Sequence, residues 1–149
     1  MARKHSTPGF LDGVVSAETY ERWLERKARA HVVRDRKRGH AAVRAVYKEA
    51  IHAAVALSLG KDCYTGETLD WHLISTYKNE ESKSGRHKYK SSLALLPTVD
   101  HFAAGETEAS FRICAWRTND AKNDLSHEDF VDLCKKVLVH DGFSVTKHR

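Results

Sequence analysis

The stretch LPTVDHFAAGETEASFRICAWRTNDAKNDLS, residues 96–126, decides how the second half of this chain folds. The run LALLPTV overlaps its start and suits a buried strand, with Pro97 favouring a sheet edge or a kink. That run leads into the adjacent pair Asp100 and His101, and after a loop SFRICAW alternates apolar and polar residues as a half-buried strand does. Asn119 and Lys122 follow in N-x-x-K spacing on a short helical stretch. The predicted order is therefore strand, Asp-His pair, loop, strand and helix.

Two amphipathic helices are predicted before this stretch. Ser16 can cap a helix that begins at Ala17, continues to about Gly39 and has one apolar and one basic side. A second helix is predicted from about Ala41 to Leu59, where Gly60 is placed to end it. We expect the two helices to be antiparallel. The apolar stripe of the second helix consists of Val43, Val46, Tyr47, Ala50, Ile51, Ala54, Val55 and Leu57.

Three further segments complete the chain. DCYTGETLDW, from Asp62, predicts a hairpin or tight turn around Thr65 and Gly66. The polar segment STYKNEESKSGRHKYKSS, residues 75–92, predicts a loop. Ser126 with Asp129 resembles a capping box that starts a final helix. That helix is closed by Gly142, and its predicted apolar face consists of Phe130, Leu133, Cys134, Val137 and Leu138.

The whole chain, residues 1–149, is predicted to form a single α+β domain. Its length of 149 residues and 41% hydrophobic content suit one core rather than two. Residues of about 16–60 form a basic helical part, and residues of about 61–142 hold the strands and the C-terminal helix. No stretch approaches the roughly 18 consecutive apolar residues that cross a bilayer, so we expect a soluble, cytoplasmic protein without a membrane partner. The three cysteines form no C-x-x-C pair and are predicted to be reduced thiols.

Positive charge is concentrated in the first helix. The chain carries a net charge of +5, whereas the segment from Arg22 to Arg38 alone holds eight basic residues against two acids. This distribution favours an anionic partner, and nucleic acid is the first candidate. A solvated helix face is the plainer alternative. The residues predicted to contact nucleic acid are Arg22, Arg26, Arg29 and Arg36 of the helix, and Lys83, Arg86 and Lys88 of the polar loop.

The Asp-His pair and the helix that follows resemble the ββα-metal core of the HNH endonuclease superfamily, over Leu95 to about Phe130. The resemblance implies that Asp100 binds a divalent ion, that His101 is the general base and that Asn119 completes the metal site. The expected ion is Mg²⁺ or Mn²⁺, which oxygen ligands suit. A histidine with an unperturbed pKa of about 6.5 can accept a proton near neutral pH. Lys122 and Asn123 are predicted to support the site.

The chain departs from the family pattern at two places. A central Asn usually braces the loop between the strands, and counting back from Asn119 places Ser110 there. Many relatives also hold a structural zinc with two C-x-x-C pairs. Here Asp62, Thr65 and Arg117 stand at three of those positions, so no structural zinc is expected. We expect packing by the two N-terminal helices to take over the stabilising role of the zinc.

The predicted function is metal-dependent endonuclease cleavage of DNA, with His101 as base and one divalent ion. A degenerate core that only binds nucleic acid, and a basic interaction module whose Asp-His pair is a coincidence, are the alternatives. Asn119 could cap its helix, Lys122 could be a solvated charge, and His127 would join the site only if one helix continued through Ser126. The spacing of the motif residues leaves RNA open as an alternative substrate, and it fits a monomer as well as a homodimer.

Overall fold

The computed structural model describes residues 5–77, 91–102 and 110–148. Within these ranges the chain is a mixture of helices and a two-stranded antiparallel sheet, so its fold is broadly α+β, as predicted. The predicted contact residues Lys83, Arg86 and Lys88 lie outside the described residues. The helices are α1 (Ala17–Lys37), α2 (Arg44–Ser58), α3 (Leu73–Thr76), α4 (Trp116–Lys122) and α5 (His127–His140), and the strands are β1 (Pro97–His101) and β2 (Phe111–Ala115).

The structure of the first helix agrees with the Ser16 cap and the apolar pattern predicted from the sequence. The Ser16 hydroxyl accepts a hydrogen bond from the Thr19 backbone N–H, which satisfies one of the free donors of the first turn. The apolar side packs into the core, where Tyr20, Trp23 and Leu24 are almost fully buried. The opposite side carries the exposed arginines. An amphipathic pattern therefore placed this helix correctly along its whole length.

The second helix is shorter than predicted and buries a narrower face. It begins at Arg44 rather than Ala41, and it ends where Leu59 and Gly60 both adopt positive φ. Tyr47, Ile51, Ala54 and Val55 are buried against the core, as the stripe predicts. The prediction was wrong for Val43, Val46 and Leu57, which are 55–69% exposed. Val46 and Leu57 lie off the face that carries the buried residues, whereas Val43 is the extended residue that precedes the first turn of α2.

The sheet pairs the two predicted strands, with a later start for the first. Asp100 lies opposite Arg112, and His101 lies opposite Phe111. The strand begins at Pro97 and not within LALL, because Leu96 donates its N–H back to the Leu93 carbonyl in a turn. The residues from Pro97 to Asp100 are buried and His101 is half-buried. The Asp-His pair thus lies at the end of the hairpin where the chain passes from β1 to β2.

One buried carboxylate, that of Asp62, links the predicted turn around Thr65 and Gly66 to the sheet by hydrogen bonds. Asp62 is 2% exposed and accepts hydrogen bonds from the backbone N–H groups of Tyr64, Thr65 and Ala115 and from the Thr118 hydroxyl. These bonds join the turn to the end of β2 and the first turn of α4. Asp62 therefore ties together the segments that the resemblance would join by zinc, a role that the sequence assigned to helix packing.

The last helix forms as predicted but does not bury its apolar face. The Ser126 hydroxyl accepts a hydrogen bond from the Asp129 backbone N–H, and the chain leaves the helix at Gly142 with φ +100°. No residue of α5 is buried. The predicted face of α5 is therefore an exposed stripe. Among the described residues, no helix is both long and apolar enough to cross a membrane.

Candidate functional site

A polar cavity of about 490 Å³ opens beside the Asp-His pair. It gathers five residues that the sequence predicted for the site, four from the end of α1 and the turn after it, and three from α4 and the residues that follow it. The predicted residues in its wall are Asp100, His101, Asn119, Lys122 and Asn123. The additional ones are Arg34, Asp35, Arg38, His40, Asp120, Asp124 and Leu125. Three separate segments of the chain therefore build this cavity together.

His101 is held by a carboxylate from the first helix. Its Nε2 lies 3.0 Å from Oδ2 of Asp35, and the Tyr47 hydroxyl donates to the same oxygen at 2.6 Å. Asp35 is 3% exposed, so these contacts act away from bulk water. Burial alone would raise the pKa of Asp35, but the hydrogen bonds from Tyr47 and His101 outweigh it and hold that pKa below its usual value. Burial and the bond to Asp35 raise the pKa of Tyr47 to about 12.

Two aromatic rings fix the other sides of the His101 imidazole. Phe111, its cross-strand neighbour, packs edge-on at 5.1 Å between ring centroids, and His31 lies 6.3 Å away. His31 is 3% exposed, and burial, reinforced by nearby positive charges, lowers its pKa to about 3. The Nδ1 atom of His101 is enclosed and has no hydrogen-bond partner among the described residues. With Nε2 engaged by Asp35, Nδ1 is the ring nitrogen left for chemistry.

Asp100 points to the other side of the strand and is neutralised there. Its Oδ2 lies 3.1 Å from the Lys122 ammonium and accepts a hydrogen bond from the Tyr64 hydroxyl. Lys122 is 3% exposed, so the alternative of a solvated helix charge is wrong. Burial and the bond to Asp100 raise the pKa of Tyr64. Adjacent residues of a strand face opposite ways, so Asp100 and His101 contact two different sets of partners.

Of the remaining predicted residues, Asn119 and Asn123 line the cavity and Ser110 does not. Asn119 is half-buried in the wall of the cavity, and it is not the helix cap, because α4 begins after Ala115. Asn123 is exposed, with φ +52°, and ends α4. That break separates α4 from α5, so a continuous helix carrying His127 into the site does not form. Ser110 contributes its backbone carbonyl, which accepts the Phe102 N–H at 3.0 Å.

The chemistry of the predicted metal ligands suits a hard divalent ion, although Oδ2 of Asp100 already contacts Lys122 and Tyr64. Asp100 and Asn119 both offer oxygen donors in the wall of the same cavity. Mg²⁺ commonly uses one or two protein oxygens and completes its shell with water and substrate phosphates. Within the described ranges, no group of three or more His, Cys, Asp or Glu side chains could hold a metal ion. An ion at Asp100 would have to share that carboxylate with Lys122.

The arginines of the first helix and the turn after it divide into three groups. Arg22, Arg26 and Arg29 are exposed on α1 and do not line the cavity beside His101. Arg36 donates from Nε to the Ala42 carbonyl at 3.0 Å, across the turn between the two helices. The arginines that line the cavity, Arg34 and Arg38, were not singled out from the sequence.

Sequence reasoning also missed Asp35, Tyr47 and Tyr64, which hold the Asp-His pair in place. One signal was present for Asp35. It is one of two acids within a basic helix, and it lies four residues after His31, on the buried face. An acid on the apolar side of an amphipathic helix needs a partner in the core. No such signal exists for Tyr64, whose partner is 36 residues away.

Comparison of this chain with models of protein families, with curated proteins and with solved structures returned no match. Function therefore has to be inferred from the residues of this chain alone.

Proposed function

We propose that this protein is a metal-dependent endonuclease that hydrolyses DNA phosphodiester bonds at the cavity beside His101. One observation carries the proposal. A histidine held by a buried carboxylate lines the same cavity as two arginines, a lysine, three further acids and two asparagines. Hydrolysis of a phosphodiester needs a base for the attacking water and positive charge near the phosphate, and these residues supply both.

His101 is the proposed general base, and Asp35 is its positioning residue. A neutral imidazole that donates from Nε2 to Asp35 carries its lone pair on Nδ1, which can then accept a proton from water. Asp35 would also stabilise the imidazolium that forms after proton transfer. The lack of a described partner for Nδ1 supports this assignment, since a buried nitrogen left without a hydrogen bond costs free energy. The mechanism requires that a water reach Nδ1.

Arg34 and Arg38 are the proposed phosphate contacts at the cavity. A guanidinium presents several N–H donors in a plane and can bind two phosphate oxygens at once. Both arginines lie near the C-terminal end of α1, on the wall that also carries Asp35. A phosphate bound between them would be held beside His101. The exposed side of α1, with Arg22, Arg26 and Arg29, could then follow the backbone of the same nucleic acid.

Asp100 and Asn119 are the residues that would hold Mg²⁺ or Mn²⁺. When bound, such an ion supplies positive charge to the crowded phosphate and to the departing oxygen. Tyr64 and Lys122 orient the Asp100 carboxylate in the protein itself. Lys122 also adds a positive charge to the same wall of the cavity.

A second candidate function is nucleic-acid binding without cleavage. The ion pair between Lys122 and Asp100 favours it, because an acid that is already neutralised by a buried ammonium is a weaker metal ligand. In this case the arginines and Lys122 would form a phosphate-binding surface only. The basic face of α1 would serve both candidates equally, so its charge does not distinguish them.

Cleavage of supercoiled plasmid with Mg²⁺, with Mn²⁺ and with EDTA tests the proposal. We expect nicking that depends on the divalent ion and falls roughly 10²–10⁴-fold in His101→Ala, since general-base catalysis contributes that much. Exposed His72→Ala is the matched control and should cut like the parent. Fluorescence anisotropy with a short duplex should show unchanged DNA affinity in His101→Ala.

Three outcomes have distinct meanings. Ion-dependent nicking that is lost in His101→Ala supports the nuclease. Wild-type protein that binds the duplex but leaves the plasmid intact under every ion condition identifies the binding module. Neither binding nor cleavage would contradict both candidates and return the chain to the third hypothesis, a basic interaction module.

A further inference from the structure

A second, small cavity of about 190 Å³ lies between α1, α3, β1 and the start of α4. Part of its wall is apolar and buried, since Trp23, Ile74 and Leu96 are 1–7% exposed. The half-buried aromatic side chains of Tyr77 and Trp116 also line it. A cavity of about 150 Å³ in a protein core can hold one benzene ring, whereas pockets for drug-sized ligands start at about 300 Å³. The small cavity therefore has room for one flat ring and not for a larger ligand.

Polar side chains line the small cavity beside its aromatic ones, among them Lys27, Thr98 and Asn119. The Lys27 ammonium, which carries three N–H donors, donates to the Thr98 hydroxyl at 3.1 Å. Burial, reinforced by the charge of Arg26, lowers the pKa of Lys27 to about 8, so this side chain still holds its proton at neutral pH. The Asn119 amide can both donate and accept. A flat ring that carries carbonyl and N–H groups would match this wall.

The small cavity adjoins the cavity beside His101, because Asn119 lines both. On β1, Thr98 lines the small cavity, and Asp100, two residues later on the same side of the strand, lines the larger one. On α1, Lys27 at the small cavity and Arg34 at the larger one are seven residues apart, which is about 10 Å along the helix axis. A strand whose phosphate lies at Arg34 would therefore carry a neighbouring base within reach of Lys27.

We propose that the small cavity binds one unstacked base of a nucleic-acid strand, next to the phosphate held in the cavity beside His101. This inference rests on the proposed function and adds the form of the substrate. A base enters such a cavity only after it leaves the stack, so the protein should prefer single-stranded or locally opened DNA to an intact duplex. Contact with an aromatic side chain serves every base, and the carbonyl oxygens of thymine and guanine can also accept from Lys27.

Binding to strands with and without bases tests the small cavity separately from cleavage. One probe is a short labelled oligothymidylate, and the other has the same number of phosphates but an abasic tetrahydrofuran at every position. Both affinities are measured by fluorescence anisotropy in EDTA. The parent should bind the thymidine strand on the order of tenfold more tightly than the abasic strand, since stacking of one base on an aromatic side chain contributes about that much. Equal affinity of the parent for the two strands would overturn the proposal.

Two variants with matched controls assign this preference for bases to the small cavity. Trp116→Leu should bring the ratio of the two affinities close to one. Phe10→Leu, which removes a half-buried ring that packs on Trp71 and does not line the small cavity, should keep the parent ratio. Lys27→Met should also lower the ratio, whereas Lys37→Met, on the same helix but exposed, should not. Urea unfolding checks that each variant is folded, and parent ratios in both Trp116→Leu and Lys27→Met would contradict the proposal.

Cleavage mapping tests whether the bound base is next to the cleaved bond. One tetrahydrofuran residue within a thymidine strand removes a single base and leaves every phosphate in place. With Mg²⁺, the parent should cut less at one fixed distance from that residue, whereas Trp116→Leu should cut every position evenly. Even cleavage by the parent would refute the proposed position of the base.

Failure of this proposal and failure of the proposed endonuclease give different results. A parent that prefers the thymidine strand but cuts no strand would contradict the endonuclease and support the base site. A parent that cuts DNA but binds both strands equally would contradict the base site alone. Absence of binding to either strand would contradict both.

Discussion

Replacing His31 should remove much of the acid sensitivity of this fold. His31 is 3% exposed, its Nδ1 has no described hydrogen-bond partner, and burial lowers its pKa to about 3. The unfolded chain binds a proton on this histidine below its ordinary pKa of about 6.5, whereas the folded protein does so only below about 3. Lowering the pH through this window therefore favours the unfolded state.

The size of the effect follows from the difference between the two pKa values. At about 1.36 kcal/mol per pH unit, the penalty grows to roughly 2 kcal/mol at pH 5 and approaches about 5 kcal/mol well below pH 3. Above pH 7 it vanishes. His31→Leu replaces the imidazole with an apolar side chain of similar volume that cannot take up the proton. Its packing against Phe111 will differ from that of the parent, but a packing difference does not change with pH.

Urea unfolding at pH 8, 7, 6 and 5, followed by fluorescence of the buried Trp23 and Trp71, measures the difference. The stability of His31→Leu relative to the parent should increase by roughly 2 kcal/mol between pH 8 and pH 5. Exposed His72→Leu is the control and should follow the parent at every pH. A His31→Leu curve parallel to that of the parent would show that the folded protein binds a proton on His31 as readily as the unfolded chain does.

Three further predictions concern the hydrogen bonds of Asp62, the positioning of His101 by Asp35 and the basic side of α1. Asp62→Ala should lower the free energy of unfolding, measured in urea, by about 3–5 kcal/mol, because four hydrogen-bond donors lose their buried carboxylate acceptor. The parent protein should stay folded in EDTA, and elemental analysis should find no stoichiometric zinc. Asp35→Asn should reduce plasmid nicking more than DNA affinity, because an amide can donate to Nε2 of His101 and move the imidazole proton to Nδ1; equal losses in both would refute the positioning role. Converting three exposed arginines to Gln should flatten the salt dependence of DNA affinity by up to roughly three units, and an unchanged slope would mean a merely solvated face; the three are Arg22, Arg26 and Arg29.

Signals that act over three or four residues made the helix boundaries predictable. Ser16 and Ser126 each bond the backbone N–H three residues later, and such a bond is visible as a short sequence pattern. The run Phe111–Ala115 also marked the second strand, but the expected half-buried alternation is wrong, because every residue except the partly exposed Arg112 is buried. The exception is the start of β1, where a turn at Leu93 to Leu96 competes with the apolar run. Hydrophobicity alone does not separate a buried turn from a buried strand.

Contacts between distant segments were not predictable from spacing. Asp35 meets His101 across 66 residues, and although its place on the apolar side of α1 indicates a buried partner, nothing in the sequence identifies His101 as that partner. The same limit explains α5. Amphipathicity predicts that a face will be covered, but it does not identify the partner, which for α5 is not found among the described residues.

If Asp100 binds the proposed divalent ion, its ion pair with Lys122 makes that binding depend on Lys122 in a measurable way. A divalent ion at Asp100 would stand close to the Lys122 ammonium, and like charges in a partly buried site repel strongly. A bound phosphate would relieve this repulsion, so we expect metal and DNA to strengthen each other's binding. In the absence of DNA, the ammonium should keep metal affinity low.

Lys122→Met tests this coupling, since it keeps the length of the buried side chain and removes its charge. Asp100 would then be a buried carboxylate without a counter-ion, which destabilises the protein until a cation neutralises it. Mn²⁺ should therefore raise the melting temperature of Lys122→Met more than that of the parent, and titration calorimetry should show Mn²⁺ binding about tenfold tighter or more. The double variant Asp100→Asn with Lys122→Met should lose both effects, because the amide carries no charge for the ion to neutralise. Equal Mn²⁺ affinity in the parent and in Lys122→Met would show that the ion, if it binds at all, does not bind at Asp100, and the ion pair would then be a purely structural bond between β1 and α4.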